Sequence, residues 1–254
     1  MTRILTVANQ KGGVGKTTTA VNLSSALGEE GKRVLLVDLD PQANATTGVG
    51  VDSEKIDNST YDLLLGDSEP AECVVETIYP NLWLAPATID LAGAEVELVS
   101  ELARENRLKN SLAKVSDQYD FVIIDCPPSL GLLTINGFIA AREVLLPIQC
   151  EYYALEGVGQ LVQNVDRIRS ALNPELHISH VLLTMYDART KLSSQVSRDV
   201  KQFFGDRLCK TVIPRSVRLS EAPSYGQPIS VFDPLSRGAG AYRDLAKEVI
   251  DGEA

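Results

Sequence analysis

Short aliphatic runs bounded by polar turn residues constrain the fold of this chain more than any other feature. They are ILTVA at 4–8, VLLVDL at 34–39, LWLAPA at 82–87, FVIID at 121–125, EVLLPI at 143–148 and ISHVLLT at 178–184. A strand with no polar face is buried on both sides, and a parallel sheet covered by helices on both faces is what buries many strands that way. The covering helices are supplied by stretches of helical periodicity at 17–30, 92–115, 131–141, 155–171 and 192–204. The expected fold is α/β, a doubly wound and mostly parallel sheet flanked by helices.

At 254 residues, 44% apolar and 23% charged, the chain suits one domain spanning 1–254 around a sizeable core. It shows no internal repeat or Pro/Ser-rich linker, and the acidic, turn-rich residues 51–80 read as an excursion over the surface. MTRILTVANQ lacks the apolar stretch of a signal peptide, and no run approaches the roughly 18 apolar residues of a membrane span. A cytoplasmic location is expected. Cys73, Cys126, Cys150 and Cys209 form no CxxC pair and read as reduced, buried thiols. His177 and His180 have no carboxylate or cysteine at ligand spacing beside them, which argues against a metal site there.

The glycine loop carries the chemistry. In NQKGGVGKTTTA, residues 9–20, Gly12, Gly13 and Gly15 follow a strand and precede a helix. Glycines let successive N–H groups point inward, and the helix adds its positive end, so the loop suits a di- or triphosphate. Lys16 would contact the β- and γ-phosphates, and the Thr17 hydroxyl would ligate Mg²⁺. The pattern GxxxxGK(S/T) fails at its first glycine, where Gln10 stands, so this is a deviant P-loop of the form KGGVGKT. Asp38 and Asp40 close the second aliphatic strand and Asp125 a later one; at those strand ends they converge on the phosphates.

The segment KGGVGKTTTAVNLSSALGEEGKRVLLVDLDPQANAT resembles the opening signature of the ParA/Soj family of chromosome and plasmid partitioning ATPases, related to MinD. The likeness continues through DFVIIDCPPSLGLLTINGF, LLPIQCEYYALEGVGQL, LLTMYDART and IPRSVRLSEAPSYGQPI, and is least diagnostic over 51–115. The resemblance implies ATP and Mg²⁺ as cofactors and a homodimer with nucleotide sandwiched between two chains, Lys11 reaching across to the partner's nucleotide. Gly12, Gly13, Val14, Gly15, Lys16, Thr17 and Thr18 would form the phosphate cradle. Asp40 would orient or activate the attacking water, and Asp125 would hold the metal through water. Thr17, Asp40 and Asp125 are thus the candidate metal residues, and Lys11, Lys16 and Asp40 the candidate catalytic ones. Residues 42–46 and 127–130 would be the segments that respond to the γ-phosphate. Met185 and the stretch Ile213 to Arg215, with Pro214 and Arg215, would serve the adenine.

The formal charge is −10, yet between Asp187 and Lys247 eleven Lys or Arg face six Asp or Glu; extending the count to Ala254 reduces the excess to two. MinD relatives end in a basic amphipathic helix that lies on the membrane, whereas this chain ends AYRDLAKEVIDGEA, acidic over its last residues, so no membrane partner is expected. The ParA/Soj branch binds double-stranded DNA nonspecifically as an ATP dimer. Arg189 and Arg218 are the first candidates for DNA contact, followed by Arg215, Arg237, Arg243 and Lys247. The resemblance implies an ATP-dependent switch on nucleoid DNA, stimulated by a ParB-type activator, that segregates a chromosome origin or plasmid. Two alternatives stand beside it: a relative positioning a protein cluster or microcompartment, and a metabolic or metal-cluster enzyme on the same fold. For the last, Cys126 has no second cysteine in a matching motif.

Overall fold

The computed structural model describes residues 2–252, so the last two residues of the acidic C-terminal stretch lie outside it. The first half of the chain runs β1 (Arg3–Val7), α1 (Lys16–Glu29), β2 (Val34–Asp38), α2 (Asn44–Gly48), α3 (Thr60–Leu65), β3 (Val75–Glu76), β4 (Leu82–Ala85), α4 (Leu91–Glu97), α5 (Arg107–Leu112) and β5 (Phe121–Asp125). The second half adds α6 (Leu132–Ala140), β6 (Glu143–Gln149), α7 (Val158–Ala171), β7 (His177–Tyr186), α8 (Lys191–Phe204), β8 (Leu208–Pro214), α9 (Val217–Glu221), α10 (Ile229–Phe232) and α11 (Arg237–Asp251). One sheet holds the strands in the order β3-β4-β2-β5-β1-β6-β7-β8, parallel except for the antiparallel β3–β4 pair.

Strand alternation sends side chains to two cores. Leu5, Val7, Leu36 and Ile123 pack with Leu23 and Leu27 of α1 and with Tyr242, Leu245 and Val249 of α11. Val37, Val122, Ile124 and Leu146 pack with Phe138 of α6, Val165 of α7 and Val200 of α8 on the other face. The expected doubly wound sheet is the observed one. From β1 the chain winds toward β2 on one side and later toward β6 on the other, so the order reverses at β1 and a crevice opens at the carboxyl ends of β1 and β5.

The structure corrects the sequence reading in three places. The stretch 92–115 is not one helix: α4 ends at Glu97, and Ala103 takes a left-handed φ of 52° before α5 begins. Residues 51–80 are more than a surface excursion, because α3 buries Leu63 and Leu64, and the Thr60 N–H donates to the Pro86 carbonyl at 2.8 Å. The run at 82–87 stops as a strand at Ala85, since Pro86 has no N–H for the ladder.

Candidate nucleotide site

The glycine loop leaves β1 and enters α1 at Lys16. Gly13 and Gly15 have φ of 74° and 89°, which only glycine adopts without strain. Around Gly12 and Gly13 a Cβ would meet nothing within 4 Å, so the loop bounds open space. Its shape is fixed from outside. The Asn9 amide donates to the Pro147 carbonyl at 2.7 Å while its carbonyl accepts the Lys11 N–H at 3.0 Å, and the Thr184 hydroxyl donates to the Val14 carbonyl at 2.8 Å.

The two lysines of the loop differ in placement. Lys16 is buried, with its ammonium donating to the Lys11 carbonyl at 3.1 Å. Burial lowers its pKa, and the charges of Asp125 and Asp40 oppose that shift. The Lys11 ammonium pairs with the Glu151 carboxylate, at a position 40% exposed.

Three carboxylates stand opposite. Asp38 and Asp125 are register partners at the ends of β2 and β5, both fully buried. The Asp38 carboxylate accepts the Thr46 N–H at 2.8 Å and hydroxyl at 2.7 Å; burial nevertheless raises its pKa to about 6. Neither Asp125 oxygen has a hydrogen-bond partner. Burial first, then the Asp38 charge, pushes its carboxyl well above the ordinary range; the nearby Thr17 hydroxyl gives some relief without forming a well-aligned bond. Asp40 accepts the Gln42 N–H at 3.0 Å.

Among the described residues no group of three or more His, Cys, Asp or Glu closes on a metal. A cation beside Asp125 would therefore complete its shell with phosphate and water oxygens, as Mg²⁺ does at nucleotide sites. Asp125, buried with two unsatisfied acceptors, fits that use.

A cavity of about 370 Å³ runs from the loop along α1. Gly13, Gly15, Lys16, Thr17, Thr18 and Met185 line it, and Met185 holds a φ of 51°. Asn44, within the segment 42–46 expected to respond to the γ-phosphate, lines the cavity too; sequence reasoning missed Val21, Asn22, Thr47, Gly48, Pro223 and Gln227. The signal for the last two lay in the segment RLSEAPSYGQP. Pro214 and Arg215 lie elsewhere, in a second cavity of about 430 Å³ with Arg189 and Arg237. A larger cavity of about 510 Å³ opens at the amino ends of β1 and β5, where Arg33 pairs with Asp120 and Arg142 with Glu175. It is remote from the glycine loop, at the opposite end of the strands.

The cations expected at DNA separate into two groups. Arg189, Arg215 and Arg237 share the second cavity, with Arg189 held in a two-pronged pair by Asp187 at 2.9 and 2.8 Å. These bonds, helped by the Arg189 N–H, hold the Asp187 carboxyl down at about 2. The Arg215 and Arg237 guanidinium groups have no ion pair among the described residues. Arg218 is shared by Glu221 and Asp233 at 3.2 and 3.5 Å. Arg243 and Lys247 on α11 face Glu29 and Glu30 at the end of α1, at 2.8 and 3.9 Å.

An open cradle of main-chain N–H groups beside an unsatisfied carboxylate suits phosphate and its cation, which puts the chain among P-loop nucleotide-binding proteins. An AAA domain family model matches residues 2–178. The chain is 56% identical to the sporulation initiation inhibitor protein Soj of Bacillus subtilis over 98% of both chains. It is 51% identical to the chromosome-partitioning ATPase Soj of Treponema pallidum over the whole of both. Among solved structures it resembles the Mycobacterium smegmatis cobyrinic acid a,c-diamide synthase with bound ATP analogue and magnesium, at TM-score 0.87 and 44% identity, covering 98% of this chain and 95% of that one. The chain belongs to the Soj/ParA family of chromosome-partitioning ATPases.

Proposed function

We propose that this chain is an ATP-dependent switch that binds DNA nonspecifically as a nucleotide-sandwich dimer and releases it on hydrolysis, stimulated by a ParB-type activator. The observation that carries the reading is the division of labour between two lysines of one loop. Lys16 is buried in the cradle of its own chain, whereas the Lys11 side chain is 40% exposed, its ammonium held by Glu151 rather than by the cradle. A charge so placed is available to a second chain docked over the loop, where it would neutralise charge developing on the transferred phosphoryl group.

Within that reading residues 12–18 bind the phosphates, and Thr17 and Asp125 hold Mg²⁺, Asp125 through water. Asp40, fixed by the Gln42 N–H, orients the attacking water. Bound Mg²⁺ supplies Lewis-acid stabilisation of the phosphate oxygens. Residues 42–46 and 127–130 begin two residues after Asp40 and Asp125, and that proximity supports their responding when the γ-phosphate leaves. Met185, with Pro223 and Gln227 lining the same cavity, would hold the adenine.

The DNA face is the cavity of Arg189, Arg215 and Arg237 with Arg218 beside it. Arg215 and Arg237 meet phosphate first, because neither has an ion pair among the described residues. Arg243 and Lys247 are secondary contacts. Binding through these cations weakens steeply with salt, and a dimer doubles their number. No described helix is long and apolar enough to cross a membrane; association with the nucleoid is the location this reading implies. The cargo is a chromosome origin or plasmid, with other cargo on the same DNA track as the alternative. Small-molecule amidation is a second reading, favoured by the name of the Mycobacterium smegmatis structure alone. DNA binding measured with ATP, ADP and no nucleotide separates the two: the switch binds only with ATP, and an amidating enzyme is indifferent to DNA.

A further inference from the structure

Asn22 makes two hydrogen bonds that join the phosphate-binding helix to a part of the chain two hundred positions away. It is buried on α1 and lines the cavity of about 370 Å³. Its Nδ2 donates to the Thr18 carbonyl at 2.7 Å, one turn back on the same helix, which fixes the amide so that Oδ1 faces α10. There Oδ1 accepts the Ile229 N–H at 2.6 Å. Ile229 is buried and opens α10, so this N–H has no partner within its own helix and Asn22 satisfies it.

Two further ties hold the same stretch. Three residues along α1 from Asn22, the Ser25 and Ser230 hydroxyls share a hydrogen bond at 3.0 Å. On the other side, Gly226 and Gly50 have φ of 62° and 75°, and a Cβ on Gly226 would fall 2.7 Å from the Gly50 Cα. The Tyr79 hydroxyl donates to the Gly226 carbonyl at 2.6 Å. The turn 222–227 closes on itself, its Gly226 N–H donating to the Pro223 carbonyl at 3.0 Å and its Gln227 N–H to the Ala222 carbonyl at 3.3 Å. Pro223 and Gln227, which wall the cavity, thus ride on a closed turn whose place is set by its anchorages.

We propose that Asn22 is a positioning residue for nucleotide binding: it holds the turn 222–227 over the cavity, so the wall for the base is set from the helix that begins at the phosphates. This role rests on the proposed ATP reading, with the base beside Pro223 and Gln227. Loss of Asn22 leaves the buried Ile229 N–H without its acceptor and frees the wall, while the cradle of residues 12–18 keeps its own supports. Affinity for the nucleoside part falls and affinity for the phosphate part does not. A residue that merely stabilised α1 would affect both.

The test is calorimetric titration of the full chain with Mg²⁺ and either ADP or inorganic tripolyphosphate, in the parent, Asn22→Ala, Gly226→Ala and Gly31→Ala. Gly226→Ala displaces the turn at its other anchorage without touching Asn22. Gly31→Ala is the control, because Gly31 has φ of 77° and a Cβ there would meet nothing within 4 Å, so it carries comparable backbone strain away from the turn. The expected result is ADP binding about tenfold weaker in Asn22→Ala and Gly226→Ala, with tripolyphosphate within about twofold of the parent. KM for ATP should rise in proportion to the ADP loss while kcat stays near the parent value. Gly31→Ala should bind both ligands like the parent. Amide exchange over residues 222–230 should slow on ADP binding in the parent and stay fast in Asn22→Ala. Equal weakening of ADP and tripolyphosphate, an ADP affinity unchanged in either Asn22→Ala or Gly226→Ala, or the same loss in Gly31→Ala overturns the positioning role. A parent chain that binds neither ligand overturns the nucleotide reading itself, and this role with it.

Discussion

The Lys11 ammonium is held by the carboxylate of Glu151, which lies two residues past the end of β6 and is 34% exposed. Glu151 therefore competes with any phosphate, in this chain or another, for the charge of Lys11. Glu151→Gln removes the competitor and leaves the cradle intact. The ATP-dependent dimer should then form at a protein concentration about threefold lower, the scale of a partly exposed ion pair. Sedimentation across a concentration series with ATP measures this, and an unchanged or weaker dimer shows that the pair does not restrain Lys11.

Asp125 carries an unsatisfied buried carboxylate beside Asp38. Without nucleotide that arrangement costs stability, and Asp125→Asn, which removes the buried charge beside Asp38 but keeps a polar group there, should stabilise the free protein by about 1–3 kcal/mol. The same change should lower hydrolysis about a hundredfold or more, because the metal loses its charged partner. Thermal melts with and without Mg²⁺ and ATP give both readouts. A variant less stable than the parent that still hydrolyses ATP contradicts the assignment.

Asp187 shields Arg189 from solvent anions through two hydrogen bonds. Asp187→Asn should raise affinity for random-sequence duplex DNA several-fold, while Arg215→Ala and Arg237→Ala should each lower it and reduce the slope of log affinity against log salt by about one. Anisotropy titrations at several salt concentrations check this. Equal affinity in all three variants places the DNA elsewhere.

The central sheet was legible in the sequence because its inner strands are aliphatic without interruption. The edge strand β8 was not: LCKTVIP exposes Lys210 and reads as loop, although Cys209 and Ile213 are buried. The N-terminal turns of α11 were hidden by Gly238 and Gly240, which lower helix propensity, and packing of Tyr242 and Leu245 on α1 and β8 overrides that. The break within 92–115 left no proline or glycine near Ala103 to signal it. At the site, the loop and the strand-end aspartates announced themselves by local context. The Lys11–Glu151 pair and the Asn22–Ile229 hydrogen bond join residues far apart in sequence, and no local pattern encodes them.

At the start of β6, Glu143 is buried between Arg3, at 2.8 Å, and His180. Burial alone would raise the Glu143 carboxyl, but the Arg3 hydrogen bonds and charge outweigh it and lower the pKa from 4.5. Its stabilising contribution is present above pH 4.5 and is lost as the pH falls through the folded value. His180 is lowered from 6.5, chiefly by burial, with Glu143 and Glu248 opposing and Arg3 and His177 reinforcing. Below pH 6.5 the unfolded chain takes up that proton first, so stability declines. Asp38, raised from 3.8 to about 6, acts the other way and gains stability as the pH falls below about 6. His180→Gln should therefore leave a protein whose stability rises from pH 7 to 5.5 relative to the parent, and Glu143→Gln should cost about 2–4 kcal/mol at pH 7. Urea unfolding at several pH values tests both; parallel pH curves for parent and His180→Gln contradict the assignment.

The most direct test of the proposed switch is the molecular mass and DNA binding of Asp40→Ala and Lys11→Ala, measured with ATP, ADP and no nucleotide. The account predicts that Asp40→Ala, trapped before hydrolysis, forms a dimer on random-sequence DNA with ATP alone, while Lys11→Ala binds ATP but stays monomeric and off DNA. An ATP dimer that ignores DNA at low salt, or a Lys11→Ala chain that dimerises as well as the parent, contradicts it.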